Sequence, residues 1–528
     1  MIDVVISGCV LFDGERIDGS IRDIAIVGDR IALIGDLSER DANERVDARG
    51  LTLAPGFIDT HSHSDELWLA DGRCLGKLMQ GVTTEIAGNC GTSAAPLQGL
   101  AFERTREIAR DAGVDVDWRD VDAFLSAVAR SGVAINVATL AGLGTIRRCV
   151  RGDEPGRLDA AERRALTDLV SAAVEQGAVG ISSGLAYVPS RYADETELVA
   201  CARAAAAAGA ARYATHLRSE SDDMLGAVDE ALRVARASDV ALQVSHHKAA
   251  GRKNWGSVHR SLDAIAQARA DGLDVHVDVY PYVAMATDLS TILPDDALAG
   301  GRDAALERLD DPQTAAALAL RLQLDRPADA DWHDVLISNV RSRRNEELIG
   351  RRLDDIARMW RLSPARAAVR LLREEALDVD AIFFAMNEDD VATVLSAGFT
   401  TIGSDASARA TTGPTARGLP HPRTFGCFPR VIGRFVRQRR TLELSEALRR
   451  MTSLAADAFG LSGRGRVTPG AYADLVLFDA GAIVDTATYD RPYAYPDGID
   501  SVWVNGRAAV RRGEPTVARA GRVLRGGR

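Results

Sequence analysis

Lysine is nearly absent from this 528-residue sequence. Of its 64 basic residues, only Lys77, Lys248 and Lys253 are lysines, and the others are arginines. Any chemistry that requires a lysine side chain therefore has three candidate positions. An excess of positive charge is also missing, since the formal net charge is -11. Because binding of a nucleic acid requires a basic stripe, we expect this protein to have no nucleic-acid partner.

Long apolar runs and closely spaced cysteines are missing as well. No hydrophobic stretch approaches the roughly 20 residues that a membrane span requires, and the N-terminus lacks the basic start and apolar core of a signal peptide. The six cysteines are scattered at positions 9, 74, 90, 149, 201 and 427, unlike those of a disulfide framework. We therefore expect a cytoplasmic protein without a membrane partner, whose thiols are free unless one of them is a metal ligand.

The sequence does contain a series of short apolar segments separated by amphipathic ones. Eight segments have the pattern of strands, namely "FIDTH", "GVTTEIAG", "INVATLAG", "GAVGISSG", "RYATHL", "ALQVSHH", "DVHVDVYPY" and "TTIGSDAS". Strands that alternate with helices form parallel βα units, and eight units predict an α/β fold of the (β/α)₈ barrel type. We assign the barrel to residues 56–464.

Other segments flank or interrupt this barrel. Residues 1–55 and 465–528 have the pattern of short strands joined by turns, which predicts one small β-sandwich formed from both chain ends. Residues from about 288 to 345 are charged and helix-prone, so they predict an inserted helical subdomain. An insertion at the C-terminal face of a barrel is well placed to act as a lid.

Potential metal ligands follow five of the predicted strands. They are His61 and His63, Cys90, His216, His246 or His247, and Asp405. Because the strands of a parallel barrel end around one opening, residues that are distant in sequence can meet there. Imidazole, thiolate and carboxylate together favour zinc over magnesium or calcium. A catalytic zinc activates water, so this set predicts the hydrolysis of an amide or ester.

Each residue also has a simpler interpretation. A lone buried histidine is more often a core residue than a ligand, and we keep that interpretation for His259, His276, His333 and His421. Cys90 could be a small buried hydrophobe, and Asp405 could cap a helix. The combination of histidine, cysteine and aspartate at several strand ends favours the metal interpretation.

Several motifs resemble those of the amidohydrolase superfamily and, within it, of the N-acyl-D-amino-acid deacylase (D-aminoacylase) family. "GFIDTHSHSD" is similar to the superfamily's first-strand metal motif, and "GAYADLVLFDA" to its return into the β-sandwich. "GVTTEIAGNCGTSAAP", "SHHKAAGRKNWG", "DVYPY" and "PHPRTFGCFPR" are similar to signatures of the deacylases. The resemblance implies zinc-dependent hydrolysis of small N-acyl-D-amino acids to a carboxylate and a free D-amino acid.

The resemblance also implies two metal sites. Cys90, His216 and His246 would form a tight zinc site, and His61, His63 and Asp405 would form a second, loosely occupied one. It favours His246 over His247, a choice that strand alternation leaves open. Many amidohydrolases bridge two metals with a carboxylated lysine at the end of the fourth strand, but "GAVGISSG" has none, which agrees with Cys90 as the replacement.

The remaining implied roles concern catalysis and substrate binding. Asp405 would be the general base, taking a proton from water and passing it to the departing amine. Arg423, with Lys248 and Tyr280 beside it, would bind the substrate carboxylate, because a guanidinium can do so in bidentate fashion. Tyr192 in "PSRYADETEL" is a further candidate. A surface ion pair is the simpler interpretation of Arg423.

The sequence departs from the family after the implied catalytic aspartate. Ala406 replaces a common glycine, the loop "SARATTGPTARGL" is longer, and Cys427 stands where threonine is common. This loop leaves open the hydrolysis of another amide, such as a cyclic imide, a D-residue dipeptide or an acylated natural product. A non-catalytic metal-binding protein is a third hypothesis, which would not require Asp405. The oligomeric state is not indicated.

Overall fold

A computed structural model describes residues 1–15, 19–325 and 330–526, and within these ranges the strands form three sheets. An eight-stranded sheet forms a barrel, a nine-stranded sheet combines the chain ends, and a three-stranded sheet belongs to an insertion. Within the same ranges, every helix is too short or too polar to span a lipid bilayer.

Strands and helices alternate along most of the chain. The strands are β1 Ile2–Leu11, β2 Ser20–Val27, β3 Arg30–Gly35, β4 Ala42–Asp47, β5 Thr52–Pro55, β6 Phe57–Asp59, β7 Val82–Ala87, β8 Asn136–Gly142, β9 Gly180–Gly184, β10 Arg212–His216, β11 Leu242–Val244, β12 Val275–Val279, β13 Met285–Asp288, β14 Val335–Val340, β15 Val379–Phe383, β16 Thr400–Ile402, β17 Leu475–Phe478, β18 Ile499–Val504, β19 Arg507–Arg511 and β20 Glu514–Pro515. The α-helices are α1 Leu67–Ala70, α2 Leu75–Leu78, α3 Gly99–Asp111, α4 Val121–Ser131, α5 Leu143–Arg151, α6 Ala160–Glu175, α7 Glu195–Ala207, α8 Met224–Ser238, α9 Val258–Ala270, α10 Asp295–Leu298, α11 Gly301–Asp310, α12 Pro312–Leu324, α13 Leu353–Trp360, α14 Pro364–Glu374, α15 Glu388–Ser396, α16 Arg423–Arg430, α17 Leu444–Met451 and α18 Ser453–Ala458. A π-helical segment, Val431–Gln438, continues α16, and 3₁₀ turns lie at Ser190–Tyr192, Arg252–Asn254, Leu289–Ile292, Trp332–Asp334 and Arg343–Leu348.

The barrel consists of β6 to β12 followed by β16, each parallel to its neighbours in the sheet. Its seam lies between β16 and β6, where the Thr60 N–H donates to Ile402 O at 3.3 Å and Ser62 forms a parallel bridge with Ala406. Strands β7 and β8 are buried along their whole length, because helices cover the outside and side chains fill the inside. The predicted (β/α)₈ barrel is therefore confirmed.

Helix α6 shows how the sequence encodes the helices around the barrel. At its start, Asp159 accepts hydrogen bonds from the first turn while Glu162 accepts one from the Asp159 N–H at 2.8 Å, which forms a capping box. Leu166, Val170 and Val174 follow at intervals of four residues and are buried. This spacing gives one apolar stripe, and the stripe packs against the barrel.

Both chain ends form one nine-stranded sheet, in agreement with the predicted joining of the two ends. The N-terminal and C-terminal parts meet where Leu53 of β5 pairs with Leu477 of β17 in antiparallel register. On another edge, the Ile31 N–H donates to Ala471 O at 2.9 Å. A shared apolar core that includes Trp503 joins residues from both ends, so each end stabilises the other.

The insertion extends from β13 to β15, beyond the predicted limit of about residue 345. Its helices α10 to α14 lie beside an antiparallel sheet of order β13-β15-β14 and share a separate apolar core that includes Leu293, Val335, Ile356 and Leu372. The prediction of a helical insertion omits this sheet. The reason is that "VLISNV" and "VDAIF" have the same short apolar pattern as the barrel strands.

Candidate metal centre

Six side chains that the sequence analysis selected converge at the C-terminal end of the barrel. They form two overlapping groups of possible ligands, His61, His63, Cys90 and Asp405 in one, and Cys90, His216 and His246 in the other. Within each group the ligand atoms lie within 4.8 Å of one another. The barrel thus brings together residues from five strand ends that are separated by more than 300 positions in the sequence.

Cys90 belongs to both groups. Its Sγ lies 3.3 Å from His61 Nε2, 3.3 Å from His246 Nε2 and 3.7 Å from His216 Nδ1, and the His216 and His246 nitrogens are 2.9 Å apart. Tetrahedral zinc with its usual bonds to sulfur and nitrogen separates such ligand atoms by about 3.3 to 3.6 Å. The Cys90, His216 and His246 group therefore offers the donor types that zinc prefers, and its two sulfur–nitrogen distances lie close to the tetrahedral values, while its two nitrogens lie nearer to each other.

The surroundings of Cys90 favour its thiolate. Burial opposes ionisation, but the neighbouring His61 and His246 outweigh it and hold the pKa of the Cys90 thiol well below its ordinary value. The thiolate is the form that binds metal. Cys90 is thus electrostatically prepared as a ligand, unlike Cys201, whose pKa is raised by burial in an apolar environment.

Three of the candidate ligands have left-handed backbone conformations. The φ angles are +52° at Cys90, +34° at His246 and +50° at Asp405, and each such residue costs about 1–3 kcal/mol unless its surroundings fix it. The backbone of Cys90 packs closely against Gly184, and this contact helps to fix the conformation of Cys90. A Cβ atom added at Gly184 would lie 2.1 Å from Cys90 O. Three of the six candidate ligands therefore depend on their surroundings to keep their backbone conformation.

Two carboxylates that the sequence analysis did not select lie behind the histidine rings. Asp278 Oδ1 is 3.2 Å from His61 Nδ1 and accepts a hydrogen bond from the His246 N–H at 2.7 Å. Glu220 Oε1 is 2.8 Å from His246 Nδ1, and its Oε2 is 3.7 Å from His216 Nε2. Carboxylates in this position orient a ligating imidazole and fix its tautomer. The position of Asp278 in a barrel strand is a signal from which the sequence could have identified it. Glu220 lies in a loop and has no such signal.

Asp405 contacts both the histidines and an arginine. Its Oδ1 lies 3.0 Å from His63 Nε2 and 3.6 Å from His61 Nε2, and its Oδ2 lies 3.0 Å from Arg423 NH1. Burial alone would raise the pKa of Asp405, but Arg423 and the histidines lower it well below the usual range. The carboxylate is therefore ionised at neutral pH. The residues that follow form a loop, which excludes the helix-cap interpretation.

Arg423, at the start of α16, lies on the other side of Asp405 from the histidines. Its side chain is 4% exposed, and its guanidinium carbon lies 4.4 Å from the centre of the buried Tyr280 ring. Arg423 NH2 donates weakly to Ala286 O at 3.4 Å, while Nε has no hydrogen-bond partner among the described residues. A buried donor without a partner is costly, so this arginine is suited to receive an anionic ligand.

Lys248 is not a free cation. Its Nζ lies 2.5 Å from Glu220 Oε1 and 2.8 Å from His246 Nδ1. Glu220 Oε1 lies at the same distance of 2.8 Å from His246 Nδ1. Because metal binding through Nε2 requires the ring proton at Nδ1, which only Glu220 can accept, we assign Lys248 as the counter-ion of that carboxylate. Lys248 therefore contacts Glu220 and His246 directly, and its role in substrate binding beside Arg423 stays a prediction.

The structure also separates the alternatives among neighbouring residues. His246 faces Cys90, whereas the adjacent His247 is buried against Ser261 Oγ at 2.7 Å. The ring centre of Tyr192 lies 5.9 Å from the guanidinium carbon of Arg147, and its role in substrate binding stays a prediction.

Tyr187, five positions before Tyr192, lies at the centre. Its ring packs edge-on against His216 at 4.8 Å, and its hydroxyl bonds to Thr287 Oγ1 at 3.0 Å. No motif in the sequence singled out Tyr187. A loop conformation decides which ring points to the barrel mouth.

Comparisons with known proteins give matches over almost the whole chain. Residues 44–510 match the model of the amidohydrolase family. The chain is 37% identical to the N-acyl-D-glutamate deacylase of Alcaligenes xylosoxydans xylosoxydans over 524 residues, which cover 99% of this chain and 96% of that protein. It is 36% identical to the D-aminoacylase of the same organism over 522 residues, which cover 99% and 97% of the two chains.

A solved structure extends these matches to three dimensions. N-acyl-D-glutamate deacylase from Bordetella bronchiseptica, complexed with zinc and a phosphonate inhibitor that mimics the tetrahedral intermediate, aligns with a TM-score of 0.84. The two sequences are 34% identical, and the alignment covers 99% of each chain. The similarity therefore includes the barrel, the insertion and the nine-stranded sheet.

Proposed function

Because this chain belongs to the amidohydrolase family, we propose that it is a zinc-dependent hydrolase of N-acyl-D-amino acids. It cleaves the amide bond and releases a carboxylate and a free D-amino acid. Relatives named N-acyl-D-glutamate deacylase and D-aminoacylase, each matching 99% of this chain, support the substrate class.

One observation carries the proposal: the Asp405 carboxylate lies between the metal-binding cluster and a buried arginine. Its Oδ1 is 3.0 Å from His63 Nε2, and its Oδ2 is 3.0 Å from Arg423 NH1. In an N-acyl amino acid, a single carbon separates the amide nitrogen from the carboxylate. A substrate whose carboxylate binds Arg423 would therefore have its amide close to Asp405.

The donor set supports zinc at Cys90, His216 and His246, and a second metal held more loosely by His61, His63 and Asp405. A bound zinc ion supplies Lewis acidity, which polarises an amide carbonyl and acidifies water. Glu220 and Asp278 hold the histidine rings from behind, so that their free nitrogens point into the cluster.

Asp405 moves the proton in this reaction. Since its carboxylate is ionised at neutral pH, an oxygen of Asp405 accepts a proton from the attacking water as the water oxygen bonds to the carbonyl carbon. The same oxygen then protonates the amide nitrogen, and the carbon–nitrogen bond breaks to give the free amine. The ion pair with Arg423 and the contact with His63 keep the carboxylate in place for both transfers.

Arg423 and Tyr280 form the receptor for the substrate carboxylate. The Tyr280 ring supports the guanidinium from one face, and Arg423 Nε is a donor without a partner among the described residues. A planar guanidinium can bind a carboxylate through two parallel hydrogen bonds. This contact favours amino acids with a free carboxylate over the corresponding carboxamides.

A paired screen tests the proposal. The purified protein is incubated with N-acetyl-D- and N-acetyl-L-amino acids that bear acidic, basic, polar and apolar side chains, and free amine is measured together with the zinc content of the same sample. Release from the D series only, lost on chelation and restored by zinc, is expected. No amine release across the whole D series would overturn the proposal. Cyclic imides and D-residue dipeptides in the same screen test the alternative amide substrates.

A further inference from the structure

Lys77 of α2 is a fully buried lysine at the seam of the barrel, directly below the candidate centre. Its Nζ donates to Asp59 Oδ2 at 2.6 Å, to Ser404 Oγ at 2.6 Å and to Ala406 O at 2.8 Å. Glu85 Oε2 lies 3.6 Å from the same nitrogen. One ammonium group therefore contacts residues of the first and second strands of the barrel and of the segment that follows the last strand.

Two of these contacts lie on either side of Asp405. The Ser404 N–H donates to Asp59 Oδ1 at 2.8 Å, and the Asp405 N–H donates to His61 O at 2.8 Å. Between Ser404 and Ala406 the chain turns through the left-handed conformation of Asp405, with φ at +50°. A non-glycine residue keeps such a conformation only where its surroundings fix it, and Lys77 contacts both of its neighbours.

We propose that Lys77 is the positioning residue for Asp405. It holds the turn at residues 404–406 so that the Asp405 carboxylate points to His63 and Arg423, and it does so without contacting the substrate. The inference rests on the proposed function, in which Asp405 is the group that moves the proton.

The chemistry of the site explains why a lysine is present here in a chain whose basic residues are almost all arginines. The three acceptors at 2.6 to 2.8 Å surround one point, which suits the three donors of a compact ammonium better than a planar guanidinium. The cation also balances the buried carboxylate of Asp59. Glu85 is further satisfied by Ser62 Oγ at 2.6 Å and Trp68 Nε1 at 2.5 Å.

A purely structural role for Lys77 is the competing explanation, because an unpaired buried carboxylate destabilises a fold. The test therefore uses Lys77→Met, the charge-balanced double variant Lys77→Met/Asp59→Asn, and Ser404→Ala. In the double variant, the side-chain oxygen of the amide introduced at position 59 can still accept the hydrogen bonds from His61 N and Ser404 N. Lys253→Met, which removes a lysine paired with Asp222 on the surface, is the matched control.

Two measurements are made on each variant: steady-state hydrolysis of an N-acetyl-D-amino acid, and titration of the metal-free protein with Co²⁺ followed by absorbance. The Lys77 variants are expected to lose about 10- to 100-fold in kcat with little change in KM. Affinity for the second equivalent of Co²⁺, which requires Asp405, falls by a similar factor, while the first equivalent binds as in the wild type. Ser404→Ala shows smaller losses in the same two quantities, and Lys253→Met shows none.

Other results would overturn the inference. A folded double variant with the wild-type kcat and both wild-type Co²⁺ affinities would exclude a positioning role. Losses that track only the folded fraction, measured by thermal unfolding, would assign Lys77 a structural role. If the wild-type protein hydrolyses none of the substrates, the proposed function fails, but the Co²⁺ titration still decides whether Lys77 positions Asp405.

Discussion

Glu220 lies 2.8 Å from Nδ1 of His246, on the side of the imidazole ring opposite the nitrogen that faces Cys90. When Nδ1 donates its proton to this carboxylate, Nε2 keeps its lone pair and can bind a metal. The contact therefore selects one tautomer of His246 and orients its ring. Glu220 Oε2 also lies 3.7 Å from His216 Nε2, so one carboxylate is close to two of the three proposed ligands of the tight site.

Replacing Glu220 with glutamine should weaken zinc binding at the tight site. We expect an increase of about 10- to 100-fold in the dissociation constant, because the amide lacks the charge that holds the Nδ1 proton. Competition with a chromophoric chelator measures the change. Asp222→Asn, which removes a nearby carboxylate on the protein surface, is the control and should bind zinc like the wild type. Equal zinc affinity in the two variants would contradict the role of Glu220.

Replacing Asp405 with asparagine should abolish most of the hydrolysis and leave the tight zinc site intact. The amide cannot accept a proton from water, so kcat should fall by about 10²- to 10⁴-fold. Zinc analysis of the purified variant should still find one equivalent, since Cys90, His216 and His246 are unchanged. Asp485→Asn removes another aspartate that pairs with an arginine of α16, Arg430, at 3.0 Å. This control should retain its turnover, and undiminished turnover in Asp405→Asn would refute the mechanism.

Replacing Arg423 with lysine should impair recognition of the substrate carboxylate although the charge is retained. Loss of one hydrogen bond to a charged group costs about 1.5–3 kcal/mol, which corresponds to a loss of about 10- to 150-fold in kcat/KM. The loss should be absent for substrates in which the carboxylate is blocked as a carboxamide. Arg430→Lys, on the same helix and stacked on Tyr282 at 4.7 Å, is the control. A similar loss for acid and carboxamide substrates would argue against this role.

Zinc uptake by the metal-free protein should depend on pH. Burial opposes protonation of His63 and His246, but Asp405, Glu220 and the Cys90 thiolate outweigh it and raise both pKa values to about 9. Both rings are therefore positively charged imidazolium groups at pH 7. Zinc must displace one proton from each ring, because only neutral imidazole binds the metal. Zinc affinity should rise between pH 7 and pH 9 and then level off.

Proton release provides a direct measurement of this effect. Zinc added to the metal-free protein in weakly buffered solution at pH 7 should release protons that an indicator dye detects, and the release should be smaller above pH 9. His259→Gln, which removes a histidine outside the centre, should give the same curve as the wild type. A zinc affinity that is independent of pH would show that the rings are neutral before the metal binds.

The sequence predicted those parts of the site that follow from the barrel itself. His61, Cys90, His216 and Asp405 are at or just beyond the ends of parallel strands, and closure of the barrel brings such ends together whatever the loops between them do. The choice between His246 and His247 was different. Strand β11 ends at Val244, and the left-handed turn at His246 then sets which ring faces inward. Strand alternation carries no information on that turn.

Loop conformations account for the other differences. Glu220 and Tyr187 reach the centre from loops, so their positions depend on contacts that no local pattern encodes. The sheet of the insertion escaped prediction for another reason. Its strands β14 and β15 are as short and apolar as those of the barrel, and only their pairing with β13 distinguishes them. The apolar pattern of a single segment predicts that it forms a strand, but it does not predict which other strand it pairs with.

The pairing of Leu53 with Leu477 has a consequence for synthesis on the ribosome. The first five strands leave the exit tunnel long before β17 exists, and at about 5–20 residues per second the wait is roughly 20 to 85 s. Throughout that interval the nascent chain exposes the edge of β5 and half of an apolar core. A chain released early would keep this edge open to pairing with other chains. Pairing of β17 with β5 therefore protects the newly synthesised chain from aggregation through this edge.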